Sequence, residues 1–227
     1  MDDVDFVKEI IASAGKIAMR HYLNVKPSWK ENRTYVTAAD LAVQEYLMEA
    51  IDRAYPEDGI IAEEQDLHKQ PAAGGRLWAI DPIDGTAAFS AGLPIWGIAI
   101  ALVVRDQAQA GFFYIPTTGD LFHTTSDGRV WRNDQPLTLL PPGPLHPETS
   151  LLIASRPHQD YVISPTYPGK LRNLGSTMAH LAYVATGNIG TDAIKQAFIY
   201  KPAKVDQVGE FAVLDETFDP AYDTTRN

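Results

Sequence analysis

The sequence contains no cysteine. That absence removes disulfide frameworks, thiolate metal sites and cysteine nucleophiles together, and gives no sign of an oxidising compartment. Long apolar runs are missing too: none approaches the roughly 20 residues a membrane-spanning helix needs. The opening MDDVDFVKEIIASAG is acidic and amphipathic, unlike the basic start and apolar centre of a secretory signal. The chain therefore reads as soluble, unprocessed and cytoplasmic, with no membrane partner. Cations are scarce as well, with 19 Lys and Arg against 29 Asp and Glu and a formal net charge of −10. Such a surface disfavours nucleic acid, whose phosphates need a cationic face. A phosphate ligand would need metal ions or a few placed cations. The six histidines, at 21, 68, 123, 146, 158 and 180, are dispersed and lack zinc spacing.

What is present is an ordinary globular composition, 227 residues of which 45% are hydrophobic, enough for a substantial core. Phe6, Val7, Ile10, Ile11, Ala14, Ile17 and Ala18 recur at three- and four-residue steps and predict an amphipathic helix over residues 4–22. TAADLAVQEYLMEAI predicts a second, opened by Thr37 with Asp40 three residues on. Asp40 is thus a capping-box partner or a functional carboxylate. Two short apolar runs predict buried strands: 59–62, ending at Glu63-Glu64, and 76–80, ending at Asp81.

From Trp96 to Arg132, β-rich runs alternate with the turn sequences Pro116-Thr-Thr-Gly119 and Ser126-Asp127-Gly128, which predicts an antiparallel meander. Trp96, Phe112, Phe113 and Tyr114 belong in its core. Helices first and hairpins after indicate an α/β (α+β) class. The proline-rich stretch 141–148 is the best internal boundary, separating an N-terminal α+β half, 1–140, from a C-terminal α/β half, 148–227. The second half predicts a strand at 150–155, a polar loop to about residue 170, a helix over 176–185, a strand over 193–199 and a final helix from about residue 205.

The most informative string is Trp78-Ala-Ile-Asp-Pro-Ile-Asp-Gly-Thr86. An isolated D-x-x-D-G is ordinary turn chemistry; two carboxylates with Pro82, Gly85 and Thr86 around them exceed what a turn needs. Pro82 fixes a dihedral and Gly85 permits a tight reversal, so Asp81 and Asp84 can point at one place with the Ile83 carbonyl between them. With Glu63 at the end of the other strand, three carboxylates could converge. Clustered carboxylates raise one another's pKa and are normally neutralised by hard cations, and Mg²⁺ suits an all-oxygen ligand set shared with phosphates.

In these residues the sequence resembles the inositol monophosphatase family of Mg²⁺-dependent, lithium-sensitive phosphatases. The likeness runs in order through Val36-Thr-Ala-Ala-Asp40, Ala62-Glu-Glu64, the 78–86 string, Arg172-Asn-Leu-Gly-Ser176, Ala185-Thr-Gly187 and Val205-Asp206. The resemblance implies a layered αβαβα sandwich with a short C-terminal part. It implies metal ligation by Glu63, Asp81, the Ile83 carbonyl, Asp84 and Asp206, for two or three Mg²⁺ ions with Mn²⁺ a possible substitute. It implies catalytic roles for Asp40, Thr86 and Glu63, with Thr86, paired to Asp40, orienting and deprotonating a metal-activated water. Gly85, Thr86, Gly175, Ser176, Thr177 and Asp206 would contact the substrate. The implied activity is a phosphomonoesterase acting on a small polyol or sugar phosphate, in a possible homodimer. Histidinol phosphate and 3′-phosphoadenosine phosphates are alternative substrates, and a non-catalytic metal-binding or regulatory relative is the alternative class.

The chain departs from the family at several points. Ala87-Ala88 stand where Thr-Asn is common, and Val205-Asp206-Gln207 replaces the usual Trp-Asp followed by small residues. Ile199 occupies the place of a substrate-binding Glu of inositol-specific members, which turns the substrate away from inositol phosphate itself. The family's Glu-Ala-Gly-Gly and a further C-terminal section are missing, as in a chain that is naturally short or has been cut.

Overall fold

The fold comes from a computed structural model, which describes residues 2–24, 28, 29, 35–71, 75–138, 147–153 and 168–185. The described residues belong to two compact units, one of Met1–Thr138 with Gly175–Ala179 and the other within Leu139–Leu174 and His180–Asn227. The expected strand over 193–199, the helix from about 205, and Asp206 itself lie outside the described residues.

In the first unit, helix α1 spans Asp3–His21. Asp2 caps it by accepting the Asp5 N–H at 2.8 Å, Asp3 and Asp5 lie in its first turn and Arg20 and His21 in its last, so charge complements the helix dipole at both ends. The predicted apolar stripe is the buried one, with Val7, Ile11, Ala14 and Ala18 all fully enclosed. Helix α2, Ala38–Ala54, follows a small ladder of β1 (Ser28–Trp29) and β2 (Tyr35–Val36) and buries Ala39, Val43, Leu47 and Ile51, a four-residue stripe on one face.

Among the described residues the large sheet of this unit has eight strands, in the order β10-β9-β8-β7-β6-β5-β3-β4. Strand β3 (Gly59–Ala62) runs parallel to β5 (Arg76–Asp84), and β4 (Gln65–Lys69) closes that edge as an antiparallel neighbour of β3. On the other side of β5 comes the predicted meander: β6 (Gly97–Val104), β7 (Gln107–Ile115), β8 (Asp120–Thr124), β9 (Val130–Arg132) and β10 (Gln135–Leu137), every neighbouring pair antiparallel. Trp96, Phe112 and Phe113 are buried as expected, and Tyr114 packs half-buried against the same core. Trp78 and Trp96 are fully enclosed.

One expectation is corrected. The strand predicted to stop at residue 80 continues to Asp84, because β6 pairs both with Asp81, through Ala99, and with Asp84, through Gly97. The register shifts between those pairs, so Pro82 and Ile83 occupy an irregularity with one residue more on β5 than on β6. A bulge is where a strand tolerates a proline, which has no N–H for the ladder. Strand β4 carries a single aliphatic residue, Leu67, and so has no apolar alternation by which to predict it.

Within the second unit, β11 (Ser150–Leu152) pairs in parallel with β12 (Lys170–Arg172), and the Arg172 Nε donates to Ser150 Oγ at 2.9 Å. Helix α4 spans Thr177–Ala185, close to the predicted helix. His180 accepts the Leu174 N–H on Nε2 at 2.9 Å, and burial lowers its pKa, so this histidine serves as a neutral acceptor. No described helix is long and apolar enough to cross a membrane.

Candidate active site

The carboxylates sit where β5 ends. Asp81 is half-buried as a residue, but its Oδ1 is sealed from water and meets no hydrogen-bond donor. Burial, and then the charges of Asp84, Glu63 and Asp40, hold the Asp81 carboxyl well above the ordinary range. The strand places a charge among like charges, and the protein supplies no donor to that oxygen.

Asp84 is better provided. Its Oδ2 accepts from the Ser176 hydroxyl and, at 2.9 Å, from the Met178 N–H in the first turn of α4. Burial raises its pKa while these bonds pull it down, and the net direction is upward. Ser176, 2% exposed, also accepts the Ala179 N–H at 2.9 Å and so serves as the helix cap.

Asp40 is the capping-box partner of Thr37, and its other oxygen faces Thr86. Oδ2 accepts the Thr37 N–H at 2.8 Å and the Thr37 hydroxyl at 2.6 Å, while Oδ1 accepts the Thr86 hydroxyl at 3.2 Å. The residue is fully buried, and burial raises its pKa although the Thr37 and Thr86 bonds oppose the rise. The Thr86 hydroxyl has a second acceptor, the Ile83 carbonyl at 3.0 Å. One proton serves two oxygens, so whichever group engages the Ile83 carbonyl turns that proton toward Asp40.

Glu63 and Glu64 form the turn after β3. The Glu63 N–H donates to the Ile80 carbonyl at 3.0 Å and the Glu64 N–H to Oε1 of Gln44, on α2, at 3.1 Å. Gln44 escaped the sequence reading; its signal is its place one helical turn after Asp40, on the same face of the helix.

Gly85 and Gly175 approach each other closely. Gly85 has φ of 89° and heads the short helix α3 (Thr86–Ser90), with no side chain capping it. A Cβ on Gly85 would lie 2.8 Å from the Gly175 carbonyl oxygen, and one on Gly175, whose φ is 91°, would lie 2.8 Å from the Ala88 Cβ. Only glycine meets both demands at either position. Ala88, one of the departures from the family, is buried against Gly175, whereas Ala87 faces solvent.

The structure thus brings Glu63, Asp81, Ile83, Asp84, Asp40, Gly85, Thr86, Gly175, Ser176 and Thr177 into one unit, and Asp206 lies outside the described residues. Among the described residues no three acidic or histidine side chains are already drawn together as an ion's ligand shell. The donor set nonetheless fits a hard divalent cation: every side chain in the cluster is a carboxylate, the groups repel one another, and a sealed oxygen of Asp81 has no donor.

Residues 2–196 match the profile of the inositol monophosphatase family. The histidinol-phosphatase of Chlorobaculum parvum is 34% identical over 137 residues, which are 60% of this chain and 52% of that protein. The Nus factor SuhB of Pasteurella multocida is 29% identical over 189 residues, covering 78% of this chain and 70% of that protein. Among solved structures, a Thermotoga maritima IMPase superposes with a TM-score of 0.70 at 25% identity, over 82% of this chain and 73% of that one. The chain spans 52% to 65% of the length of the first three curated relatives it matches. The α/β fold is that of the inositol monophosphatases.

Proposed function

Because the chain belongs to the inositol monophosphatase family, we propose that it is a Mg²⁺-dependent phosphomonoesterase acting on a small polyol, sugar or related phosphate. The observation that carries the reading is Asp81: a sealed carboxylate oxygen with no donor, surrounded by Asp84, Glu63 and Asp40. Like charges so arranged raise the free energy of the fold unless a cation joins them. Glu63, Asp81, the Ile83 carbonyl and Asp84 would hold Mg²⁺, with Asp206 as a further ligand on the strength of the family resemblance. When bound, Mg²⁺ lowers the pKa of water and neutralises charge on a phosphoryl group.

The chain's own residues supply orientation and proton handling. With its proton directed to Asp40, Thr86 keeps a lone pair for a water proton, and Asp40, whose buried carboxyl is raised in pKa, is the base behind it. Gly85, with no side chain, lets the backbone of Gly175 and Ser176 close against the head of α3, and the free N–H groups at Gly85 and Thr86 would hold phosphate oxygens. Gly175 and Thr177 flank the leaving alcohol. Ser176 is occupied by Asp84 and contributes by holding that carboxylate. Histidinol phosphate heads the candidate substrates, in view of the Chlorobaculum parvum relative. Ile199, where inositol-specific members carry a glutamate, argues against inositol phosphate.

A second reading comes from the likeness to Nus factor SuhB, which covers more of the chain than the histidinol-phosphatase match does: a regulatory protein that binds metal without turnover. Phosphate release from a panel of histidinol, inositol, sugar and 3′-phosphoadenosine phosphates, with and without Mg²⁺, separates the two. Release that needs Mg²⁺ and is lost in Asp84→Asn supports the enzyme; metal uptake without release from any substrate supports the regulator.

A further inference from the structure

We propose that Gln44 is a positioning residue that pins the Glu63–Glu64 turn to helix α2 and thereby holds the Glu63 carboxylate where it and Asp81 can share one cation. The inference rests on the metal-dependent reading above. Glu63 is an exposed residue, so the reach of its carboxylate toward Asp81 depends on where its backbone is held. Its backbone is fixed from two directions. The amide before its Cα donates to the Ile80 carbonyl, next to Asp81 on β5, and the amide after it donates to Gln44. With both flanking peptide planes tied, the direction of the Glu63 Cα–Cβ bond is set, and the carboxylate that it carries acts on Asp81 from that side.

Gln44 suits this task by burial and by charge. It is 1% exposed, so its amide must be hydrogen-bonded or cost the fold free energy. Its neutral oxygen accepts the Glu64 N–H without adding another negative charge beside Asp40, Glu63, Asp81 and Asp84. Asp40 and Gln44 stand four residues apart on α2, about 6 Å along the axis. One face of one helix therefore receives Thr86 at Asp40 and Glu64 at Gln44, and sets the separation of the two loops that bear the carboxylates. Supporting partners of this kind typically govern metal affinity by about ten- to a hundredfold.

The test is Mn²⁺ titration of the full chain by calorimetry, with the melting temperature of each metal-free variant measured alongside. Gln44→Met keeps the shape and removes the acceptor; Gln44→Asn keeps the amide but falls short of Glu64, and serves if the first variant does not fold. Both are expected to bind Mn²⁺ about tenfold more weakly than wild type. Gln44→Glu restores the acceptor and is expected to bind at least as tightly as wild type. Unchanged Mn²⁺ affinity in Gln44→Met or Gln44→Asn, with only a lower melting temperature, overturns the inference and leaves the phosphatase reading intact. Weak binding by Gln44→Glu also overturns it. A wild-type chain that takes up no Mn²⁺ overturns the metal-dependent reading, and this inference with it.

Discussion

The hydroxyl of Ser176 donates to Oδ2 of Asp84, joining residues 92 positions apart in the chain. The same carboxylate oxygen takes the Met178 N–H, and Ser176 Oγ takes the Ala179 N–H, so the two side chains together satisfy the first turn of α4. A negative charge at that end also meets the positive pole of the helix dipole. Replacing Ser176 with alanine removes the cap and the donor that lowers the Asp84 pKa. Ser176→Ala is expected to lower unfolding free energy by about 1 kcal/mol, read from the urea midpoint of the metal-free chain. Ser176→Thr, which keeps the hydroxyl, should lose less.

Neutralising Asp81 should have opposite effects on stability and on metal uptake. In the metal-free chain its charge is desolvated and repelled by three carboxylates, and Oδ1 gains nothing in return. Asp81→Asn removes that repulsion at almost no change of shape. At pH 7 in a chelator the variant is expected to melt at a higher temperature than wild type, and in millimolar Mg²⁺ the order should reverse, because only wild type gains from the ion. Differential scanning calorimetry in both buffers checks the crossing.

The family string at 78–86 was legible because chemistry and spacing coincide there, and helices α1 and α2 were legible because their apolar periodicity is uninterrupted. Strand β5 was cut short in the sequence reading because Pro82 looks like an end, whereas pairing with β6 carries the ladder past it through a bulge. Asp40 was ambiguous because capping and catalysis ask for the same residue type at the same place, and only coordinates reveal that its two oxygens face different partners. Gln44 and the Asp84–Ser176 bond were invisible for another reason. The Gln44–Glu64 contact spans 20 positions and the Asp84–Ser176 contact 92, and although Gln44 shares a helix face with Asp40, nothing in the sequence pairs it with Glu64.

The hairpin of β8 and β9 offers a pH test away from the site. Arg132 holds Asp120 with Nε to Oδ1 at 2.8 Å and Nη2 to Oδ2 at 2.9 Å, and this pairing keeps the Asp120 carboxyl below its usual range. A depressed folded-state pKa contributes stability that is present above the unfolded value, about 4, and is lost as pH falls through the lower folded value. Asp120→Asn is expected to cost about 1.5 kcal/mol at pH 7. The gap between variant and wild type should narrow as pH falls below about 4, measured by urea unfolding across the range. A gap that stays constant with pH would mean that the ion pair contributes nothing in solution.

Thr86 decides whether the proton path runs as proposed. Its hydroxyl lies 3.2 Å from Asp40 Oδ1 and 3.0 Å from the Ile83 carbonyl, and the proposed role needs the first contact whenever the carbonyl is engaged elsewhere. Thr86→Ala removes the hydroxyl and leaves every carboxylate in place, so Mg²⁺ affinity should hold while kcat falls by about 10² or more, the usual scale for a positioned proton acceptor. Thr86→Ser retains the hydroxyl on a less restricted side chain and is expected to recover most of the rate. The Asp40→Asn variant should match Thr86→Ala in kcat, and the double variant should be little worse than either single one, because two residues that act as one relay do not lose rate additively. Multiplying losses in that cycle would instead mean that Asp40 and Thr86 act independently.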